Sequence, residues 1–154
     1  MQKGGSRIPE PRCRLADLMR VLILCTGNSA RSQMAEGLLR HDSRGRITVE
    51  SAGISPSTVR PEAIVVMNEV GIDITGQRSK SVEEFAAETF DVVLTVCDSA
   101  RETCPVYSGH AQREHHAFAD PATVTGSESD RLAAFRRVRD EIRSFLSERF
   151  STLS

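Results

Sequence analysis

Five residues separate Cys25 from Arg31 in the stretch Leu24-Cys25-Thr26-Gly27-Asn28-Ser29-Ala30-Arg31-Ser32. A cysteine thiolate is a nucleophile, and an arginine fork can clamp a tetrahedral oxyanion through two parallel hydrogen bonds, which a lysine cannot do. If the residues between them turn into a helix, the backbone N–H groups of Thr26, Gly27, Asn28, Ser29, Ala30 and Arg31 converge with the positive helix end on one point. Two anions can use that point. One is an oxyanion such as phosphate or arsenate; the other is the thiolate of Cys25 itself, to which Ser32 can add a hydroxyl hydrogen bond. One loop would then bind an oxyanion and present a nucleophile beneath it.

The flanking residues are those such a loop needs. Val21-Leu22-Ile23-Leu24 has no polar alternation and reads as a strand buried on both faces of a parallel sheet, while Gly27 and Asn28 tolerate left-handed backbone. Residues 30–40 read as a helix with Met34, Ala35 and Leu38 on its apolar face. Further on, 46–51 reads as a strand with Ala52-Gly53 as a turn, and 61–70 as a helix opened by Pro61 and stopped by Gly71. Ser79 or Ser81 can cap a short helix through 83–86, 91–96 is a second buried strand, and 113–118 a short last one. The spacing predicts a long amphipathic helix over 127–150, with Leu132, Phe135, Val138, Ile142, Phe145 and Leu146 facing inward. The predicted fold is therefore α/β: a single-domain three-layer sandwich, mainly a four-stranded parallel sheet with helices on both faces. Residues 1–18 read as a disordered leader, with the domain over 19–150, and Cys13 in the leader as an incidental thiol.

The buried strand over 91–96 also ends in a cysteine, Cys97, and Cys104-Pro105 follows it. In a parallel sheet, ligands sit beyond the carboxyl ends of the strands, so Cys25 and Cys97 share one edge. Cys97 and Cys104 lack a normal zinc spacing; they can be two buried thiols or partners in a redox relay. Asp120-Pro121 follows His115 and His116. Alone it reads as a turn. The two histidines read as alternately exposed residues of a short strand rather than metal ligands.

The loop over 25–37, together with Cys97, Cys104-Pro105 and Asp120-Pro121, resembles the thioredoxin-coupled arsenate reductases, built on the low-molecular-weight tyrosine phosphatase fold. The resemblance covers about residues 20–148 and implies specific roles. Cys25 attacks arsenate held by the loop amides and Arg31, Asp120 protonates the departing oxygen, and Cys97 then displaces arsenite by forming a disulfide with Cys25. Cys104 carries the oxidation on to a Cys97–Cys104 disulfide, which thioredoxin reduces. A regular helix would hold two cysteines seven residues apart about 10.5 Å from each other, too far for a disulfide, so this step implies unwinding of 98–103. The chain also departs from the family. Ala30 replaces a further cysteine of several relatives. Lys80 stands where some relatives carry an acidic residue of a potassium site near Asn28, Glu36 and Ser51, so its ammonium is expected in place of the cation. Ala122 and Thr123 follow the Asp-Pro pair where tyrosine phosphatases carry a tyrosine for docking aromatic substrates.

Twenty Lys and Arg against 21 Asp and Glu leave a net charge of -1, which gives no bulk attraction to nucleic acid or anionic membrane. No apolar run spans a bilayer and no signal-peptide pattern is present, so a cytoplasmic, monomeric protein is expected. Four cysteines in a reducing compartment suit catalysis, metal binding or redox work better than a structural frame. The expected partners are arsenate, phosphate as competing oxyanion, and thioredoxin, without metal or organic cofactor. Two alternatives stand beside this reading: a tyrosine phosphatase using only Cys25, Arg31 and Asp120, and a non-enzymatic oxyanion or redox sensor.

Overall fold

A computed structural model describes residues 19–98, 107 and 109–151. The elements run in the order β1 (Met19–Cys25), α1 (Arg31–Asp42), β2 (Ile47–Gly53), α2 (Pro61–Glu69), a 3-10 helix (Val82–Phe85), β3 (Val92–Thr95), β4 (Gln112–His115), a 3-10 turn (Pro121–Thr123) and α3 (Glu128–Arg149). The strands form one sheet in the order β2-β1-β3-β4, and each neighbouring pair is parallel. The leader expected over 1–18, Cys13 and Cys104 lie outside the described residues.

β1 is a continuous apolar run because it is central and covered twice. Val21, Ile23 and Cys25 pack into a layer with Met34, Ala35 and Leu38 of α1, Ala63, Val66 and Met67 of α2, and Phe135, Val138, Ile142 and Leu146 of α3. Leu22 and Leu24 alternate to the opposite face, onto Val93, Phe85, Phe90 and Tyr107. The predicted α/β sandwich is present: three α-helices cover one face and, among the described residues, the first 3-10 helix and an edge-to-face aromatic row cover the other.

Element ends are where residues compete for partners. β2 continues through Ala52 and Gly53, which the sequence reads as a turn, because Gly53 is paired with Cys25 and its N–H donates to the Lys80 carbonyl at 2.9 Å. β4 covers 112–115 rather than 113–118; beyond it, His116 and Phe118 still donate to the carbonyls of Thr95 and Val96 and lead the chain along the sheet to Asp120. Ser81, one of the two predicted caps, accepts from the Glu83 N–H at the first 3-10 helix. α3 opens on a capping box between Ser127 and Asp130. α1, by contrast, starts at Ala30 with no side-chain cap. Each α-helix follows the carboxyl end of a strand after its loop, so one edge of the sheet gathers the Cys25 loop, Gly53, Cys97 and Asp120.

Candidate active site

Cys25 is the last residue of β1 and is almost entirely buried, with its Sγ 2.9 Å from Ser32 Oγ in the first turn of α1. The connecting loop turns on Asn28, a non-glycine residue with φ of 48°. Its side chain holds this conformation from three sides: Nδ2 donates to Ser32 Oγ at 2.8 Å and Ser51 Oγ at 2.9 Å, and Oδ1 accepts the Lys80 N–H at 2.8 Å. Ser51 in turn donates to Glu36 at 2.5 Å. A buried polar chain thus runs from the Cys25 sulfur through Ser32, Asn28 and Ser51 to a carboxylate.

That carboxylate is neutralised by the chain itself. Lys80 Nζ lies 3.7 Å from Glu36 Oε1 and 3.9 Å from Glu50, and donates to the Arg78 carbonyl; Arg40 closes on the other Glu36 oxygen at 2.7 Å. With an ammonium already set against Glu36 behind the loop, the residues here do not fit an additional monovalent cation.

The carbonyl oxygens of the loop are all engaged. Thr26 O accepts from Ser55 N, Gly27 O from Ser79 Oγ, Asn28 O from Gln33 Nε2, Ser29 O from Arg60 N and Ala30 O from Met34 N, at 2.9–3.1 Å. A trans peptide holds its C=O and N–H in opposite directions, so tying each carbonyl to a neighbouring element turns the following N–H away from that element. Among the described residues, no acceptor takes the N–H of Gly27, Asn28, Ser29 or Ala30. With the uncapped first turn of α1, these amides form a backbone nest of open donors in the loop where the sequence reading expects Thr26, Gly27, Asn28, Ser29, Ala30 and Arg31 to receive an oxyanion.

Arg31 is 3 % exposed; its Nη1 donates to the Phe118 carbonyl at 3.1 Å and its Nη2 lies 3.6 Å from Asp120 Oδ2. Asp120 caps the following 3-10 turn by accepting the Ala122 N–H at 2.9 Å, and its carboxylate remains about one-third exposed. The structure therefore brings Cys25, Arg31, Ser32 and Asp120 to one edge. Cys97 is buried at the same edge, just past the register Leu24↔Thr95, and is disulfide-bonded, whereas Cys25 is a free thiol. Cys104 lies outside the described residues. The histidines have structural partners: His115 shares a hydrogen bond with Thr95, and His116 stacks on Phe118 and Phe145.

Three supporting residues escaped the sequence reading. A Cβ on Gly53 would sit 2.6 Å from Thr26 O, 2.8 Å from Cys25 O and 3.0 Å from Asn28 N, so only glycine lets β2 pass this close to the loop. Gln33 is fully buried, bridges the carbonyls of Asn28 and Arg78 and accepts from Gln77 at 2.8 Å; a glutamine in the first turn of a buried helix was its one signal. Ser79, read as a possible cap, serves the loop instead.

Comparison with known proteins follows the same lines. The pattern of the family described as low molecular weight phosphotyrosine protein phosphatase matches residues 20–154. The arsenate reductase of Bacillus subtilis (strain 168) is 44 % identical over 128 residues, covering 83 % of this chain and 92 % of its own. A solved arsenate reductase in a phosphate-binding state superposes with a TM-score of 0.74 at 35 % identity, over 89 % of this chain and all of the other. The low molecular weight protein tyrosine phosphatase from T. tengcongensis gives 0.69 at 26 % identity, over 88 % and 99 %.

Proposed function

The chain belongs to the low molecular weight phosphotyrosine protein phosphatase family, and from that premise we propose that it reduces arsenate to arsenite through a relay of Cys25, Cys97 and Cys104 closed by thioredoxin. The nest and Arg31 hold the oxyanion over Cys25. Its thiolate attacks arsenic(V), and one oxygen leaves as water after Asp120 supplies a proton. Fixed amide dipoles of the nest carry the charge on the other oxygens. The Cys97 thiolate then attacks the Cys25 sulfur; the electron pair of the S–As bond stays on arsenic, which departs as arsenite, and a Cys25–Cys97 disulfide remains. Cys104 attacks Cys97 and frees the Cys25 thiolate, and thioredoxin reduces the resulting Cys97–Cys104 disulfide by exchange. Phosphate enters the same nest as a competitor. Lys80 supplies the cation behind Glu36, so no resident metal takes part.

The observation that favours reduction over hydrolysis is the state of the sulfurs: Cys97 is disulfide-bonded at the edge where Cys25 is a free thiol. A hydrolytic phosphatase needs no second thiol. The phosphatase reading keeps one support, since Cys25, Arg31 and Asp120 alone can hydrolyse a phosphate monoester. Arsenate-dependent NADPH oxidation with thioredoxin and thioredoxin reductase, run beside para-nitrophenyl phosphate hydrolysis, separates the two. The proposal expects the first to dominate; hydrolysis without arsenate-dependent oxidation would make the protein a phosphatase.

A further inference from the structure

One peptide unit of the nest is held against its own preference. The plane joining Gly27 to Asn28 sets φ of Asn28 at 48°, a conformation that costs a non-glycine residue free energy. Turning that plane over would carry φ of Asn28 to the ordinary negative side, and Gly27, without a side chain, opposes the turn least. The turned plane would aim the Gly27 carbonyl, in place of the Asn28 N–H, at the oxyanion. The loop therefore needs a lock on this carbonyl. Ser55, Arg60 and Met34 lock the carbonyls of Thr26, Ser29 and Ala30 through their own backbone N–H groups, but Gly27 O is held by a hydroxyl, Ser79 Oγ at 3.1 Å. The hydroxyl is aimed in its turn, because its oxygen accepts the Ser57 N–H at 2.9 Å, which leaves its proton for Gly27.

We propose that Ser79 is a positioning residue for oxyanion binding: its hydroxyl, clamped between Ser57 N–H and Gly27 C=O, keeps the Asn28 N–H directed into the nest. The proposal rests on the oxyanion reading of the Cys25 loop. Ser79 sits behind the loop and touches no reacting atom, so its removal acts on affinity before it acts on chemistry. The next residue, Lys80, holds the Asn28 side chain through its N–H, so one two-residue strap fixes both the backbone and the side chain of the turn.

The test is inorganic phosphate binding by calorimetry to the parent, Ser79→Ala and Ser79→Thr, with thermal melting of each and arsenate KM and kcat alongside. Loss of one neutral hydrogen bond predicts phosphate binding about tenfold weaker in Ser79→Ala, equivalent to ~1.4 kcal/mol, and an arsenate KM raised more than kcat falls. Ser79→Thr keeps the hydroxyl and restores both. Parent-like phosphate affinity in Ser79→Ala, or equal loss in the alanine and threonine variants, would overturn the positioning role while leaving the oxyanion reading intact. Should Ser79→Ala not fold, the threonine variant decides: parent-like affinity supports the clamp and tenfold loss in a folded protein rejects it. A parent that binds no phosphate overturns both.

Discussion

Gly53 shows how narrow the tolerance around Cys25 is. A methyl group there meets two carbonyl oxygens and an amide nitrogen within 2.6–3.0 Å, all backbone, none able to rotate aside. Gly53→Ala is expected to fold, to lose on the order of 1–3 kcal/mol as overpacked sites do, and to weaken phosphate binding, which chemical denaturation and calorimetry will measure. Asp120 is different: its removal leaves the loop and Arg31 in place, so Asp120→Asn should keep phosphate affinity and slow the first chemical step by about 10²–10⁴-fold in single-turnover arsenate reduction. Lys80→Ala leaves the Glu36 carboxylate buried beside Ser51 without its nearest ammonium. The variant should melt lower than the parent, and potassium chloride should recover part of the loss in the variant while changing the parent little; equal responses would remove Lys80 from the cation role. The placement of Cys25, Arg31, Ser32 and the loop residues at one strand-to-helix turn was legible, because it follows from residue types and spacings that a sequence displays. Gly53, Gln33 and Ser79 were not, since their roles depend on which backbone lies next to them, and that is set by the packing of β2 and of residues 77–80 onto the loop.

Among elements, α3 is tied to its neighbours by arginines rather than only by its apolar stripe. Arg131 meets Glu62, Arg136 and Arg139 meet Glu69, Arg143 meets Asp42 and Arg149 meets Glu114. The Arg149 hydrogen bond holds the Glu114 carboxyl below its ordinary range, and Arg136 does the same for Glu69. Burial pushes Asp42 upward, but hydrogen bonds and charge from Arg143 and His41 bring it below its usual value. Depressed carboxylates contribute stability that is complete above their unfolded values, about 4 for Asp and Glu, and is lost as pH falls through the folded ones. Glu114→Gln should therefore melt below the parent at pH 7, and the gap should close at pH values under about 4. A gap independent of pH would assign the effect to packing. Glu114 lies on β4, whose continuation carries Asp120, so this pairing also ties down the edge that leads to Asp120. The α3 stripe and its Ser127 start were legible from periodicity and capping chemistry. The ends of β2 and β4 were not, because Gly53 is kept in the sheet by its N–H donating to Lys80, against local turn preference, while β4 stops at His115 and only the N–H groups of His116 and Phe118 keep to the carbonyls of Thr95 and Val96, all partners distant in sequence.

At the scale of the whole molecule, a parallel sheet places the carboxyl ends of β1 and β3 side by side, and so brings Cys25 and Cys97 to one edge from positions 72 residues apart in sequence. In the proposed mechanism, binding draws on β1, α1 and the residues behind the loop, and the first chemical step adds Asp120 from beyond β4. In the proposed relay a second thiol, Cys104, must reach Cys97, and two cysteines seven residues apart in a regular helix would stand too far apart for a disulfide. The proposed relay thus divides between the Cys25 loop, which binds the oxyanion, and the Cys97–Cys104 pair, which carries the electrons away. Cys104→Ser cuts that division at one atom. The direct measurement is arsenite formed per enzyme by Cys104→Ser with arsenate, thioredoxin, thioredoxin reductase and NADPH, followed by mass spectrometric mapping of its disulfides. The relay predicts one arsenite per enzyme and a trapped Cys25–Cys97 disulfide. Repeated thioredoxin-driven turnovers in this variant, or no Cys25–Cys97 disulfide after the first, would contradict it.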